Sequence, residues 1–277
     1  MPISSTRHPI LYRVAVAFHR CTRWFSWHAD GKKYATSRTH ADLTFKACSH
    51  RSVLLRRLGN SDLRLQHNKV KNLEIAGRRI DKILIRPGET FSFWKLVGNP
   101  TARKGYLPGM FLSKGEVSEG VGGGLCQMGN LLYWMALHTP LTVTERFRHS
   151  FDAFPDSGRV LPFGSGATLF YNYIDLQLRN DTDMTFEIRV WVGETYLHGE
   201  IRTDALLPES YGVIERDHRF LLDQASGSHF RENRIYRKVM DRRTGVTVRE
   251  ELVCENRAEM KYPPPEGADI RLFDRDA

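Results

Sequence analysis

Apolar residues fall at two periods along this chain, and those periods predict its elements. From Asn68 to Ile85, Val70, Leu73, Ala76, Ile80, Ile83 and Leu84 recur at helical spacing. Arg86-Pro87-Gly88 closes that helix, because proline cannot continue it and glycine permits the turn. "ETFSFW" then reads as a strand and "VGNPTARKGYLPG" as a long loop. After a run of three glycines, Met128, Leu131, Leu132 and Met135 mark the buried face of a second helix, which stops at His138-Thr139-Pro140. "LTVTERF" is a β-branched run leading to His149, and "ATLFYNYIDLQLRN" reads as one or two further strands. From Phe186 the period becomes two. Phe186, Ile188, Val190 and Val192 alternate with Glu187, Arg189 and Trp191, and "TYLHGEIR" returns as a partner strand. "RIYRKVMDRRTGVTVREELV" is a second hairpin turning near Thr244-Gly245.

Before all of these lies a helical segment. Ile10, Val14, Ala17, Phe18, Cys21 and Phe25 share one face, Arg13, Arg20 and Arg23 fall elsewhere, and Trp24 and Trp27 lie at the end. Such a helix either docks on the protein's own core or lies on a membrane surface. Residues 29 to 40 are polar and turn-rich, and read as a connector. The pattern divides the chain into a basic helical and connector segment over 1–43, an α+β core over 44–185 and a β-rich segment over 186–277.

Charge sharpens the picture of the first segment. Residues 1–57 carry 11 Lys and Arg against Asp30 and Asp42, so the whole formal charge of +9 sits there. That excess favours an anionic partner, either a membrane surface or a phosphate-bearing precursor. Nucleic acid is a weaker expectation, because no helix-turn-helix or RNA-binding motif accompanies the charge. No segment is long and apolar enough to span a bilayer, and no export signal is evident. The four cysteines are far apart with no CxxC spacing, which argues against zinc and against a stapled secreted fold. The expectation is a cytoplasmic protein, peripheral at the inner membrane face if the first helix lies on lipid. No metal or other cofactor is expected.

The candidate chemistry centres on "GVGGGLCQMGN", residues 120–130. Gly122, Gly123 and Gly124 allow close backbone approach, and Cys126 falls in the first turn of a helix. There, unpaired N–H groups and the helix dipole favour a thiolate and can hold an oxyanion, with Gln127 as a further donor. A thiol enzyme also needs a base. His149, 23 residues on, is the first choice, and Asp175 is the group that would orient its ring, with Asp152 and Asp156 as alternatives. The bland reading is a turn before a small buried cysteine. His138 reads as a helix C-terminal contact, and His198, His218 and His229 have no metal-ligand spacing. The glycines do not form a phosphate loop, since the GK[ST] ending is absent.

"RPGETFSFWKLVG", "GVGGGLCQMGNLLYWMALHTPLTVTER" and "YIDLQLRNDT" closely resemble the VanW family, in this order, with a weaker echo in "YPPPE" near the end. The resemblance runs from about residue 40 to the C-terminus and is to the family's short members. It implies an accessory role in bacterial cell-wall metabolism and glycopeptide resistance, with a cell-wall peptide or precursor as partner. Its motif positions here are Gly122, Gly123, Gly124, Cys126, Gln127, His149 and Asp175. Where relatives commonly read G-x-D-A-T, this chain reads Gly164-Ser165-Gly166-Ala167-Thr168, so Gly166 replaces an acid. Two readings follow. One is a thiol hydrolase or acyltransferase of papain-like or transglutaminase-like layout, acting on an amide through Cys126, His149 and Asp175. The other is a binding module that holds an anionic group at the glycine loop and helix N-terminus without chemistry.

Overall fold

A computed structural model describes residues 9–55, 62–113, 116–148, 151–153, 155 and 161–273. It is an α+β fold in which strands predominate. The order is α1 (Pro9–Ala29), β1 (Lys33–Tyr34), β2 (Phe45–Val53), α2 (Leu63–Ile80), β3 (Ile83–Ile85), β4 (Glu89–Ser92), α3 (Phe93–Val97), β5 (Pro108–Ser113), β6 (Glu116–Val121) and α4 (Cys126–Ala136). Then come β7 (Thr142–Glu145), β8 (Phe151–Asp152), β9 (Gln177–Arg179), β10 (Phe186–Val192), β11 (Tyr196–Thr203), β12 (Glu209–Asp223), β13 (His229–Asp241), β14 (Thr247–Met260) and β15 (Ile270–Phe273).

The strands form three sheets and one hairpin: β1-β4-β9-β7, β2-β11-β10-β3, β15-β12-β13-β14-β8, and β5-β6. Helices α2 and α4 pack on the second sheet, α2 against β10 and α4 against β2 and β11. Their apolar stripes meet there. Leu73, Ala76 and Ile80 of α2 join Met128, Leu131, Leu132 and Met135 of α4 and Ile188, Val190, Leu197 and Ile201 of the sheet in one buried cluster. Burying each large aliphatic or aromatic side chain in it stabilises the fold by about 1.5–3 kcal/mol.

Several elements differ from the sequence pattern for identifiable reasons. Helix α2 starts at Leu63, because the Asp62 carboxylate accepts the Arg64 amide as an N-cap. It ends at Ile80, and Lys82 adopts φ 65, a left-handed turn that no helix continues through. Ile83 to Ile85 therefore leave the helix and pair with β10. "ETFSFW" is strand only to Ser92, whose hydroxyl caps α3. The loop after it closes into the β5–β6 hairpin. Strands β10 and β11, where the sequence period changes, lie in the same sheet as β2 and β3.

Candidate functional site

The glycine run is a packed turn. Gly122 and Gly124 have φ of 81° and 90°, which side-chain-bearing residues rarely adopt. A methyl on Gly123 would lie 2.2 Å from the backbone of Gly109 at the start of β5. One on Gly124 would lie 2.3 Å from Cγ of Lys69 in α2, and one on Gly122 2.6 Å from Cβ of Pro100. Asn72 of α2 fastens the turn in place. Its Nδ2 donates to the carbonyls of Leu107 and Gly123, both at 2.9 Å, and its Oδ1 accepts the Leu107 amide at 2.8 Å.

Helix α4 leaves this turn with Cys126 as its first residue and no side-chain cap. Among the described residues, the amides of Gly124 and Leu125 have no protein acceptor. The thiol itself is engaged. Cys126 Sγ accepts the Leu169 amide at 3.4 Å and donates to the Leu169 carbonyl at 3.7 Å. Cys126 keeps some surface, yet burial around its sulfur pushes the thiol pKa up, against a smaller lowering by the Leu169 and Cys126 amides. Burial therefore disfavours the thiolate here. Gln127 also turns inward, donating to Ser52 Oγ at 3.0 Å and the Val53 carbonyl at 2.8 Å, while its Oε1 is buried with no hydrogen-bond partner among the described residues.

Asp175 is fully buried just ahead of β9. Its Oδ2 accepts the Ser92 hydroxyl at 2.6 Å, and its Oδ1 accepts the amides of Trp94 at 3.0 Å and Leu176 at 2.9 Å. The carboxylate thus supports the start of α3. Burial raises its pKa to about 6, opposed by the Ser92 and Trp94 hydrogen bonds, while neighbouring Glu145 raises it further. Arg23 of α1 forms a two-pronged pair with Glu145, which also accepts the Asp175 amide at 3.1 Å.

His149 and Asp156 lie outside the described residues. Asp152 is buried in the C-terminal sheet, where it takes a hydrogen bond from the Tyr262 hydroxyl at 2.5 Å. His138 contacts the Trp134 carbonyl through Nδ1 at 2.9 Å, a helix-end interaction. Gly166 sits against Asn130, one turn along α4 from Cys126. A methyl there would come 2.8 Å from Asn130 Oδ1, which accepts the Ala167 amide. Among the described residues no group of three His, Cys, Asp or Glu could hold a metal.

Lys69 is a residue the sequence reading passed over. It is only 7% exposed, its stem packs under Gly124, and its ammonium donates to Gln66 Oε1 at 2.7 Å. The signal was present, since Lys69 lies four residues from both Leu65 and Leu73 and shares their buried face.

The chain is 31% identical over 265 residues, 96% of both sequences, to the vancomycin B-type resistance protein VanW of Enterococcus faecalis (strain ATCC 700802 / V583). It belongs to the VanW family. The model described as "VanW like protein" matches residues 68–202, which span α2 to β11 and hold the glycine turn, Cys126, His149 and Asp175. A shorter similarity links this VanW-family chain to the uncharacterized protein YoaR of Bacillus subtilis (strain 168), 34% over 118 residues, covering 43% of this chain and 37% of that one. No solved structure matches.

Proposed function

We propose that this protein is an accessory factor of bacterial cell-wall metabolism in glycopeptide resistance, and that it acts by holding an anionic cell-wall precursor at the glycine turn. The observation that carries this reading is the uncapped start of α4. Among the described residues the amides of Gly124 and Leu125 have no protein acceptor, and the stem of the buried Lys69 packs under Gly124. A helix start of this kind stabilises a carboxylate or phosphate through its N–H groups and dipole. A D-Ala-terminated peptide carries such a carboxylate. The Cys126 thiol, held on the Leu169 backbone and buried so that the thiolate is disfavoured, fits a wall of that site. The reading places the protein in the cytoplasm. Its four free, separated cysteines fit a reducing compartment.

The test is titration of N-acetyl-L-Lys-D-Ala-D-Ala into the full chain by calorimetry, beside mass spectrometry of the peptide after long incubation. The expected result is binding that survives Cys126→Ser and weakens in Lys69→Met, with the peptide intact. Cleavage or transfer that disappears in both Cys126→Ala and His149→Ala would replace this reading. The protein would then be a thiol hydrolase or acyltransferase of papain-like or transglutaminase-like layout, with Asp175 behind the histidine.

A further inference from the structure

Helix α1 has two faces with different fates. One is fixed to the body. Arg23 pairs with Glu145, and Lys95 Nζ lies 5.3 Å from the Trp27 ring centre and donates to the Trp27 carbonyl. The other is apolar and bare. Leu11 is 53% exposed, Val14 59%, Phe18 66%, Trp24 53% and Phe25 62%. Leu11, Val14, Phe18, Cys21 and Phe25 form a stripe at helical spacing, and all five are exposed. Beyond its side, Tyr173 is 49% exposed and touches the His19 ring at 4.7 Å. So many large apolar side chains in one place mark a docking surface.

We propose that this face lies in the surface of an anionic lipid bilayer, with α1 parallel to the membrane plane. Charge selects the occupant. Helix α1 contains no acidic residue, and residues 1–57 carry the whole net +9. Two copies packed stripe to stripe would bring like charges together. The positions flanking the stripe, such as Ala15, Ala17 and Thr22, offer no opposite charges to pair them. An anionic lipid surface answers the charge and the apolar face together. At the edge of this face the exposed Arg20, stacked 5.3 Å over Tyr171, lines a cleft of about 300 Å³ with Cys21, Trp24, Phe25, Asn99 and Asn172. Helix α1 is 21 residues long but too polar to cross the membrane, so it rests on it.

The full chain is floated with vesicles of phosphatidylcholine, with and without 30% phosphatidylglycerol, at low and high salt. Binding is expected with the anionic vesicles, falling with salt, together with a blue shift of tryptophan emission. Phe18→Ser with Phe25→Ser is expected to weaken it roughly a hundredfold, about tenfold for each ring kept out of the bilayer. Arg20→Gln should weaken binding to anionic vesicles only. These side chains are exposed, so circular dichroism should show an unchanged fold. Flotation equal in wild type and the double serine variant overturns the proposal. So does a concentration-dependent dimer in analytical ultracentrifugation that the same variant abolishes while wild type fails to float.

Discussion

Replacing Gly123 by alanine tests whether the glycine run is a flexible loop or a packed turn. The added methyl would meet the Gly109 carbonyl carbon and oxygen at 2.2 Å and the Met110 nitrogen at 2.7 Å. These are backbone atoms of β5 and cannot rotate away. Restoring ordinary contact, which begins near 3.4 Å, requires the turn and β5 to separate by more than 1 Å. Asn72 ties both together through Leu107 and Gly123, so the separation also breaks a buried hydrogen bond. Overpacking costs about 1–3 kcal/mol and the lost hydrogen bond about 1 more. The expected destabilisation is about 2–4 kcal/mol, or a Tm lower by roughly 5–10 °C in a protein of this size. Urea unfolding followed by circular dichroism measures it. Gly31→Ala is the control, since Gly31 has φ 68° but nothing within 4 Å of an added methyl. It should lose only the left-handed backbone preference, about 1 kcal/mol. If Gly123→Ala is no less stable than Gly31→Ala, the turn is not closely packed and the reasoning fails.

Cysteine reactivity should follow burial. Iodoacetamide at pH 8 is expected to label exposed Cys21 first and to leave Cys48, pushed up to about 12 by burial, and Cys126 unlabelled in native protein, read by peptide mass spectrometry. Asp175 should shape the stability profile. Its native pKa of about 6 exceeds the ordinary 3.8, so the native state holds the proton more tightly than the unfolded chain. Stability should therefore fall between about pH 4 and pH 6, by up to about 3 kcal/mol, and level off above, and Asp175→Asn should remove that slope from urea midpoints measured against pH. Arg23→Ala leaves Glu145 unpaired beside Asp175. It should cost about 1–3 kcal/mol and speed tryptic cleavage within α1.

The elements that were legible in the sequence are those whose own period decides their state. Helix α4 shows its helical period and β11 alternates cleanly because one face of each packs on the shared core, while β10 keeps its apolar alternation although Glu187 on its other face is also buried. Strand β12 was missed for a physical reason. Its central residues, Glu215 to Arg219, are mostly charged, and Asp217 takes φ 54° at a bulge where the register shifts against β13. The β5–β6 hairpin was hidden by its glycine and proline content, which reads as loop, while its pairing comes from backbone groups that no side-chain pattern reports. The end of α2 was misplaced by one turn because the left-handed Lys82 leaves no mark in hydrophobicity.

At the site, the sequence singled out residues by type but could not show how their polar groups are engaged. Residue type named Cys126, Gln127 and Asp175, and each is indeed unusual. What each bonds to is set by chain distant in sequence: Leu169 for the thiol, Ser52 and Val53 for the amide, and Ser92 and Trp94 for the carboxylate. Each of these contacts joins separate elements, α4 to the segment before β9, α4 to β2, and that same segment to α3. Removing any one would loosen the frame around the glycine turn as well as change a local group. Loss of activity on mutating Cys126 or Asp175 therefore does not by itself identify a catalytic group. A binding measurement paired with a stability measurement separates the two effects. A residue that serves only the frame should lower both together, whereas Lys69, whose stem packs under Gly124, should affect anion binding beyond any change in stability.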